Sequence, residues 1–276
     1  MFWEHLFFGV TSPLRRFFSR PEIIFGLTVE PTHPFSVGRC LEVMSDDSKI
    51  PNAYHAFGYL LGYAYLFGIQ DLFCENLIRT SENIQPIDAE IVLSKFFLPH
   101  ESSLIPFKTT AFEKCGLSLL EPNPNLINPK NIQEIVEGFV EVLSEASSNV
   151  DQIVEQIQRD VGSSQIPIRI LLRPTSEYRD WQESAAKYLP EEVEQLNRGD
   201  IPYFFKFIGD SSVYFYRRDD VVLAIKSTSQ DLIEPLKNLA VQPSELVNER
   251  RIQDFLLPNG CLYLLKHLVP SGFVEQ

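Results

Sequence analysis

The sequence predicts an α+β fold in which helices predominate, and three observations support this prediction. Residues 53–68 are apolar almost all round, which is typical of a helix in the middle of a core. Apolar residues in 131–161 recur at helical spacing. Residues 203–225 contain short apolar runs separated by turn residues, which is typical of strands. The chain has 276 residues, of which 44% are hydrophobic, and this is enough for one large domain or two small ones.

The N-terminal residues 1–50 are predicted to form a short β-containing segment. Residues 22–29 and 37–43 have the composition of strands, with prolines in the turn between them. The first residues are rich in aromatic side chains, which either pack in the core or dock a partner, and core packing is the commoner case. Glu4 and His5 interrupt this apolar start and no basic residue precedes it, so no signal peptide is expected.

A buried helix over 53–68 and a hairpin after it are predicted next. Gly58 and two further small residues, Gly62 and Ala64, give the helix a face that another element can approach closely. Gly68 is a candidate C-cap, and the apolar run of the helix is too short to span a bilayer. Two short apolar pieces, 77–79 and 85–87, flank a polar tip and predict the hairpin.

The remainder of the chain is predicted to alternate between loop, helix and strand. Five prolines in 91–130 indicate a region that is mostly loop. The elements predicted after it are two amphipathic helices in 131–161, a strand in 166–173, a charged helix in 179–198, strands in 203–225 with turns at 209–210 and 219–220, and a helical stretch that ends at about residue 256. We therefore divide the chain into 1–50, a core at 51–125 and a helical and β remainder at 126–276.

Composition excludes several classes of protein. Lys and Arg number 24 against 37 Asp and Glu, and a net charge of −13 argues against a general nucleic-acid binder or a partner of anionic lipid. The four cysteines are far apart and form no C-x-x-C pair, and the five histidines are scattered. We therefore expect no disulfide framework and no zinc site, but four reduced thiols in a cytoplasmic protein.

Three polar residues around the predicted hairpin carry the chemistry. Asn76 follows Asp71 by five positions, and Asp88 comes just after the hairpin. Protein kinases place a catalytic Asp, a metal-binding Asn and a second metal-binding Asp in this order and with this loop spacing. Carboxylate and amide oxygens are the ligands that Mg²⁺ prefers. The other interpretation is that Asp71 and Asn76 are turn residues and Asp88 is a cap.

The sequence around these residues resembles a known family. The run D-L-F-C-E-N-L-I, followed by P-I-D-A-E, is similar to the motifs D-x-H-x-E-N-(L/I)-I and (I/V)-D-x-E in the dehydratase domain of class II lanthipeptide synthetases (LanM type). Residues 169–178 resemble that family's R-x-x-x-R-P-T-x-x-Y, and 198–204 resemble its G-D-I-P-Y-F segment. The resemblance covers roughly residues 50–260.

The resemblance implies a lipid-kinase-like catalytic core, comparable to a kinase C-lobe, with a reduced N-terminal lobe and a helical elimination subdomain. Such a domain phosphorylates Ser and Thr of a precursor peptide with ATP and Mg²⁺, and then eliminates the phosphate. By this resemblance Asp71 lies near the attacking hydroxyl, Asn76 and Asp88 bind the metal and the nucleotide, and Glu90 lines the same site.

The downstream motif implies a second set of residues. Arg169 and Thr175 match family positions used in phosphate elimination, where an Arg fork suits a leaving phosphate and a hydroxyl can help to manage its proton. For Arg173 two interpretations stay open, because it either adds charge to the phosphate pocket or pairs with a carboxylate.

The chain departs from the family pattern in the kinase half. Phe73 stands where the family has His, and a phenyl ring cannot carry a proton. Upstream of Asp71 the only lysine is Lys49, which is too close to lie on the strand that bears the phosphate lysine in the family, and Arg39 is a weak substitute. These departures favour the alternative functions: a catalytically degenerate, pseudokinase-like module that binds a peptide or a partner biosynthetic enzyme, or a part completed by another chain.

Overall fold

The structure is a computed structural model, and it is α+β and mostly helical, as the sequence predicts. It describes residues 2–29, 38–40, 52–79, 84–95, 98–106, 109–123, 126–161, 166–173, 175–179, 181–210, 212–217, 222–225, 242–256, 264 and 268. The α-helices are α1 (Phe2–Phe8), α2 (Pro21–Ile24), α3 (Ala53–Phe67), α4 (Pro129–Ser147), α5 (Val150–Val161), α6 (Pro190–Asn197), α7 (Pro243–Leu246) and α8 (Glu249–Leu256).

The described strands form three small antiparallel sheets. The first pairs β1 (Leu27–Val29) with β2 (Gly38–Cys40), and the second pairs β3 (Leu77–Arg79) with β4 (Ile84–Pro86). The third sheet has the order β5-β6-β7-β8, from β5 (Ile168–Ile170), β6 (Phe204–Lys206), β7 (Tyr214–Tyr216) and β8 (Val222–Ala224). The predicted hairpin and the predicted strands in 166–173 and 203–225 are therefore confirmed, and the turn predicted at 219–220 lies outside the described residues.

The aromatic N-terminus packs in the core. Helix α1 buries Trp3, Leu6, Phe7 and Phe8. The Phe7 ring lies 5.1 Å from that of Phe67, centroid to centroid, and the Phe7 carbonyl accepts a hydrogen bond of 2.8 Å from the Tyr63 hydroxyl. The structure therefore shows that these aromatic side chains pack in the core, which is the first of the two interpretations.

The prediction of a strand over residues 22–29 is wrong for the first half of that range. Residues Pro21–Ile24 form the single turn α2, because a proline at the first helical position has a fixed φ and needs no hydrogen-bond partner for its nitrogen. Only Leu27–Val29 is extended, and it pairs with Gly38–Cys40 as expected for the second strand. The end of that predicted strand, 41–43, lies outside the described residues.

Helix α3 is the centre of the main hydrophobic core, and α4 packs very closely against it. A Cβ on Gly58 would lie 1.9 Å from the Ile135 carbonyl oxygen, so only glycine permits this contact. Gly68 ends α3 in the left-handed conformation (φ +60°), and its N–H is directed at the carbonyls of the last helical turn. Both the small face and the C-cap of the predicted helix are confirmed.

The helices after residue 128 also follow the prediction, with one correction. Helices α4 and α5 confirm the two amphipathic stretches, and α7 and α8 confirm the helical stretch that ends at residue 256, with 226–241 outside the described residues. The helix predicted over 179–198 is α-helical only from Pro190, and Trp181–Lys187 forms a 3₁₀ helix instead. Proline has no N–H to donate to the preceding turn, so an α-helix cannot continue through Pro190. Among the described helices none is long and apolar enough to cross a membrane.

The close contact between α3 and α4 generates the first prediction. We expect Gly138→Ala to destabilise the protein by about 2 kcal/mol, because its Cβ would lie 2.1 Å from the His55 carbonyl oxygen and force the helices apart. Urea denaturation measures this change. The control is Ser144→Ala on the exposed side of the same helix, which should be neutral or slightly stabilising. A Gly138→Ala variant as stable as the wild type would contradict the close packing.

Candidate functional site

A cavity of about 640 Å³ brings the two sets of predicted residues together. Its lining includes six of the seven residues singled out from the sequence, namely Asp71, Asn76, Asp88, Arg169, Arg173 and Thr175. Glu90, the seventh, is not among the lining residues, but its carboxylate forms an ion pair with Arg169. Segments almost one hundred positions apart in the chain therefore meet at one place.

Asp71 lies in the loop that leaves α3, and its neighbours hold it there. The N–H of Gln70 donates to the Ile91 carbonyl at 3.0 Å, and the N–H of Leu72 donates to the Ser102 carbonyl at 2.9 Å. Between these two anchors Asp71 adopts a left-handed conformation with φ of 64°. Such a conformation is uncommon for a residue other than glycine and persists only where the surroundings enforce it.

Asn76 connects Asp71 to the hairpin that precedes Asp88. Its Nδ2 donates to the Asp71 carbonyl at 2.8 Å and contacts Asp71 Oδ2 at 3.3 Å, while its own carbonyl accepts from the N–H of Ile87 at 3.0 Å. Within the described residues neither Asn76 Oδ1 nor the exposed Asp88 carboxylate accepts a hydrogen bond. These oxygens are available to a ligand in the cavity.

The electrostatics of the cavity raise the pKa of Asp71. Burial is the main cause, since it disfavours the charged carboxylate, and the nearby Asp88 and Glu75 add repulsion. The positive charge of Arg169 and the Asn76 hydrogen bond oppose the shift without cancelling it. A carboxylate with a raised pKa is a better proton acceptor than an ordinary one.

Arg169 reaches the cavity from strand β5. Its guanidinium forms an ion pair with Glu90 and lies over the Tyr203 ring, 5.2 Å from the ring centroid. Its backbone N–H also donates to the Glu90 carbonyl at 3.3 Å. The buried Nε of Arg169 has no hydrogen-bond partner among the described residues, and a buried donor without a partner costs about 1–3 kcal/mol. Phosphate oxygens would satisfy such a donor.

Arg173 pairs with a carboxylate, as one of its two interpretations expects. Its Nε and Nη2 donate to the two oxygens of Glu192 at 2.8 and 3.0 Å. Glu192 is fully buried and also accepts from the Tyr178 hydroxyl and the Leu189 N–H, each at 2.7 Å. Arg173 therefore supports the wall of the cavity through a buried network, although its side chain lines the cavity as well.

Thr175 lines two cavities. It begins a 3₁₀ helix, Thr175–Tyr178, and its side chain is exposed. The second cavity has a volume of about 570 Å³ and is lined by Trp181 and Ile201 among others. Since Thr175 belongs to both, the two spaces adjoin at this residue.

The residues around the first cavity fit a divalent cation held together with a phosphate. Three carboxylates (Asp71, Glu75 and Asp88) line the cavity, and three more (Glu90, Glu177 and Glu192) pair with its arginines. Against the three lining cations (Lys114, Arg169 and Arg173) this is an excess of three negative charges. Over the described part of the chain, no three His, Cys, Asp or Glu side chains converge as a metal cluster. Mg²⁺ is often held by only one or two protein carboxylates plus substrate phosphates, so Asn76 and Asp88 are an adequate pair.

Sequence reasoning missed Lys114, which also lines the cavity. It ends the 3₁₀ helix Thr109–Lys114, and the next residue, Cys115, forms an antiparallel bridge with Phe73. This bridge connects segments about forty positions apart, and no local pattern indicates it. Phe73 itself lines the cavity, so a phenyl ring occupies the place where the resembling family has an imidazole.

The described cysteines are free thiols, as the sequence predicts. Cys74 is partly exposed and lines the cavity, whereas Cys115 is buried. Burial raises the pKa of Cys115 to about 11, which keeps this thiol protonated and unreactive near neutral pH. The remaining two cysteines lie outside the part of the chain that carries described side chains.

Comparison with known proteins adds one finding. A family model described as a domain of unknown function (DUF4135) matches residues 42–120, which is well under half of the chain. The matched range contains Asp71, Asn76, Asp88 and Lys114 but neither Arg169 nor Thr175. No curated protein matches the chain.

The raised pKa of Asp71 generates a prediction about stability and pH. Near neutral pH the folded protein holds an ionised, partly buried carboxylate, so we expect Asp71→Asn to raise the melting temperature. The gain should shrink as pH falls to about 4, because a protonated Asp71 carries no charge either. Thermal denaturation across this range measures the effect.

The control for this prediction is Asp254→Asn on the exposed surface of α8, which should change the melting temperature little at any pH. A lower melting temperature for Asp71→Asn at neutral pH would show that its carboxylate is stabilised where it lies, contrary to the raised pKa.

Proposed function

We propose that this chain is a lanthipeptide-dehydratase-like protein, which phosphorylates Ser or Thr of a peptide with ATP and Mg²⁺ and eliminates the phosphate. One observation carries the proposal. Residues from the kinase-like motif and residues from the elimination-like motif line the same cavity. A peptide hydroxyl that is phosphorylated there lies beside the groups that would expel the phosphate.

The proposal gives the kinase-like residues the following roles. Asp71 accepts the proton of the attacking hydroxyl, and its raised pKa suits that task. Asn76, through its Oδ1, which accepts no hydrogen bond from the described residues, and Asp88 hold the metal. ATP would supply the phosphoryl group, and the Mg²⁺ bound with it would neutralise part of the negative charge of the phosphates.

The elimination-like residues act on the phosphorylated side chain. Elimination transfers the Cα proton to a base, turns the electrons of that C–H bond into a Cα=Cβ double bond, and expels phosphate with the electrons of the Cβ–O bond. In this proposal Arg169 binds the leaving phosphate through its unsatisfied Nε, Glu90 orients Arg169, and Thr175 hydrogen-bonds a phosphate oxygen. The second cavity, which adjoins at Thr175, gives room for the peptide on either side of the reacting residue.

A second candidate function is a pseudokinase-like module that binds a peptide or a partner enzyme without catalysis. Phe73 favours it, because the phenyl ring in the cavity wall can neither donate to phosphate nor carry a proton. This candidate keeps the cavity as a recognition site but predicts no role for a metal there.

Calorimetric titration with ATP distinguishes the two candidates. We expect binding at micromolar strength, about −8 kcal/mol, in the presence of Mg²⁺ and much weaker binding without it. Asp88→Asn should abolish the metal dependence, since it removes a charged ligand while leaving the shape of the side chain unchanged.

Asp254→Asn serves as the control, because Asp254 is an exposed carboxylate on α8 that does not line the cavity. Absence of metal-dependent binding in the wild type, or an Asp88→Asn variant that binds like the wild type, would argue against the dehydratase-like function and for the pseudokinase-like one.

A further inference from the structure

The three cations that line the cavity differ in their partners. Arg169 is paired with Glu90, and Arg173 is paired with both oxygens of Glu192, so each guanidinium charge is already neutralised. Lys114 forms no ion pair within the described residues. Among the described cations that line the cavity, Lys114 is therefore the one whose charge no carboxylate neutralises.

The backbone around Lys114 is anchored although its side chain is exposed. Cys115 bridges to Phe73 in the Asp71 loop, and the next two N–H groups donate to the carbonyls of Ser103 and Leu104 at 3.2 and 2.9 Å. Leu117 is fully buried and fixes this turn to the core. A long side chain on a fixed base can follow a ligand without moving the wall of the cavity.

The charges in the cavity require such a cation when a phosphate chain is bound. Asp71, Asp88 and Glu75 face the same space, and they repel the anionic oxygens of a nucleotide. A divalent metal at Asn76 and Asp88 balances part of this charge, and a triphosphate adds more negative charge than that metal neutralises. A flexible ammonium group with three donors suits oxygens whose positions change during transfer.

We propose that Lys114 is the phosphate-binding cation of this cavity, and that its ligand class is a nucleoside polyphosphate. This inference rests on the proposed function. It supplies from downstream of Asp71 a positive charge for which Lys49 and Arg39 are the upstream candidates nearest in sequence. Lys114 binds through charge and orients the phosphate chain, and it forms no covalent bond with it.

The test compares the affinities for ATP, with Mg²⁺, and for adenosine in calorimetric titrations. Lys114→Gln should weaken ATP binding about tenfold or more, since one charge-assisted hydrogen bond is lost, and leave adenosine binding unchanged. Lys114→Arg should retain most of the affinity for ATP. Lys130→Gln is the control, because Lys130 is a highly exposed cation on α4 outside the cavity.

Each outcome bears on one of the two proposals. If the wild type binds ATP with Mg²⁺ and Lys114→Gln binds it equally well, the role of Lys114 is refuted and the proposed function stands. If the wild type binds no ATP, the proposed function fails, and titration with inorganic phosphate then tests Lys114 alone. Phosphate binding that Lys114→Gln abolishes supports its role as the anion-binding cation, and phosphate binding that it leaves unchanged overturns that role.

Discussion

The site depends on the contact between α3 and α4, in which glycine lets two helix backbones touch. A side chain at Gly58 or Gly138 would overlap a backbone carbonyl of the other helix, so the spacing of the pair is set by main-chain atoms and cannot adjust. Helix α3 ends at Phe67, and its left-handed cap, Gly68, lies three residues before Asp71. A Cβ added to Gly68 would lie 2.2 Å from the Ser94 carbonyl oxygen. Because the position of α3 and the place where it ends are both fixed, the loop that carries Asp71 leaves the helix in one direction.

From that start, hydrogen bonds between distant backbones assemble the cavity. Backbone hydrogen bonds link Gln70 to Ile91, Asn76 to Ile87 and Arg169 to Glu90. They connect the Asp71 loop to the segment after the hairpin, and that segment to β5. The carboxylates collected in this way exceed the cations around them. The raised pKa of Asp71 reflects first the burial of its carboxylate and then the repulsion from Asp88 and Glu75, and both are costly to the folded state. The proposed binding of a metal and a phosphate would give these charges a common role.

Local sequence patterns predicted most of the helices and strands, because their signals are local. The apolar residues of α3, the stripes of α4 and α5 and the polar tip of the hairpin each act over a few positions. The prediction failed at Pro21–Ile24, where a short apolar run fits a helix as well as a strand, and before Pro190, where charged residues form a 3₁₀ helix instead. Six of the seven candidate residues meet in the cavity, but Lys114 arrives through the bridge between Phe73 and Cys115, and long-range pairing of this kind has no local signal.

The central claim is that the cavity binds a metal and a phosphate chain together. A crystal structure of the protein with Mg²⁺ and a non-hydrolysable ATP analogue tests it most directly. We expect electron density for the metal beside Asn76 and Asp88, and for the phosphates between that metal and Lys114. Density for the analogue elsewhere on the protein, or a cavity that stays empty at saturating analogue, would contradict it.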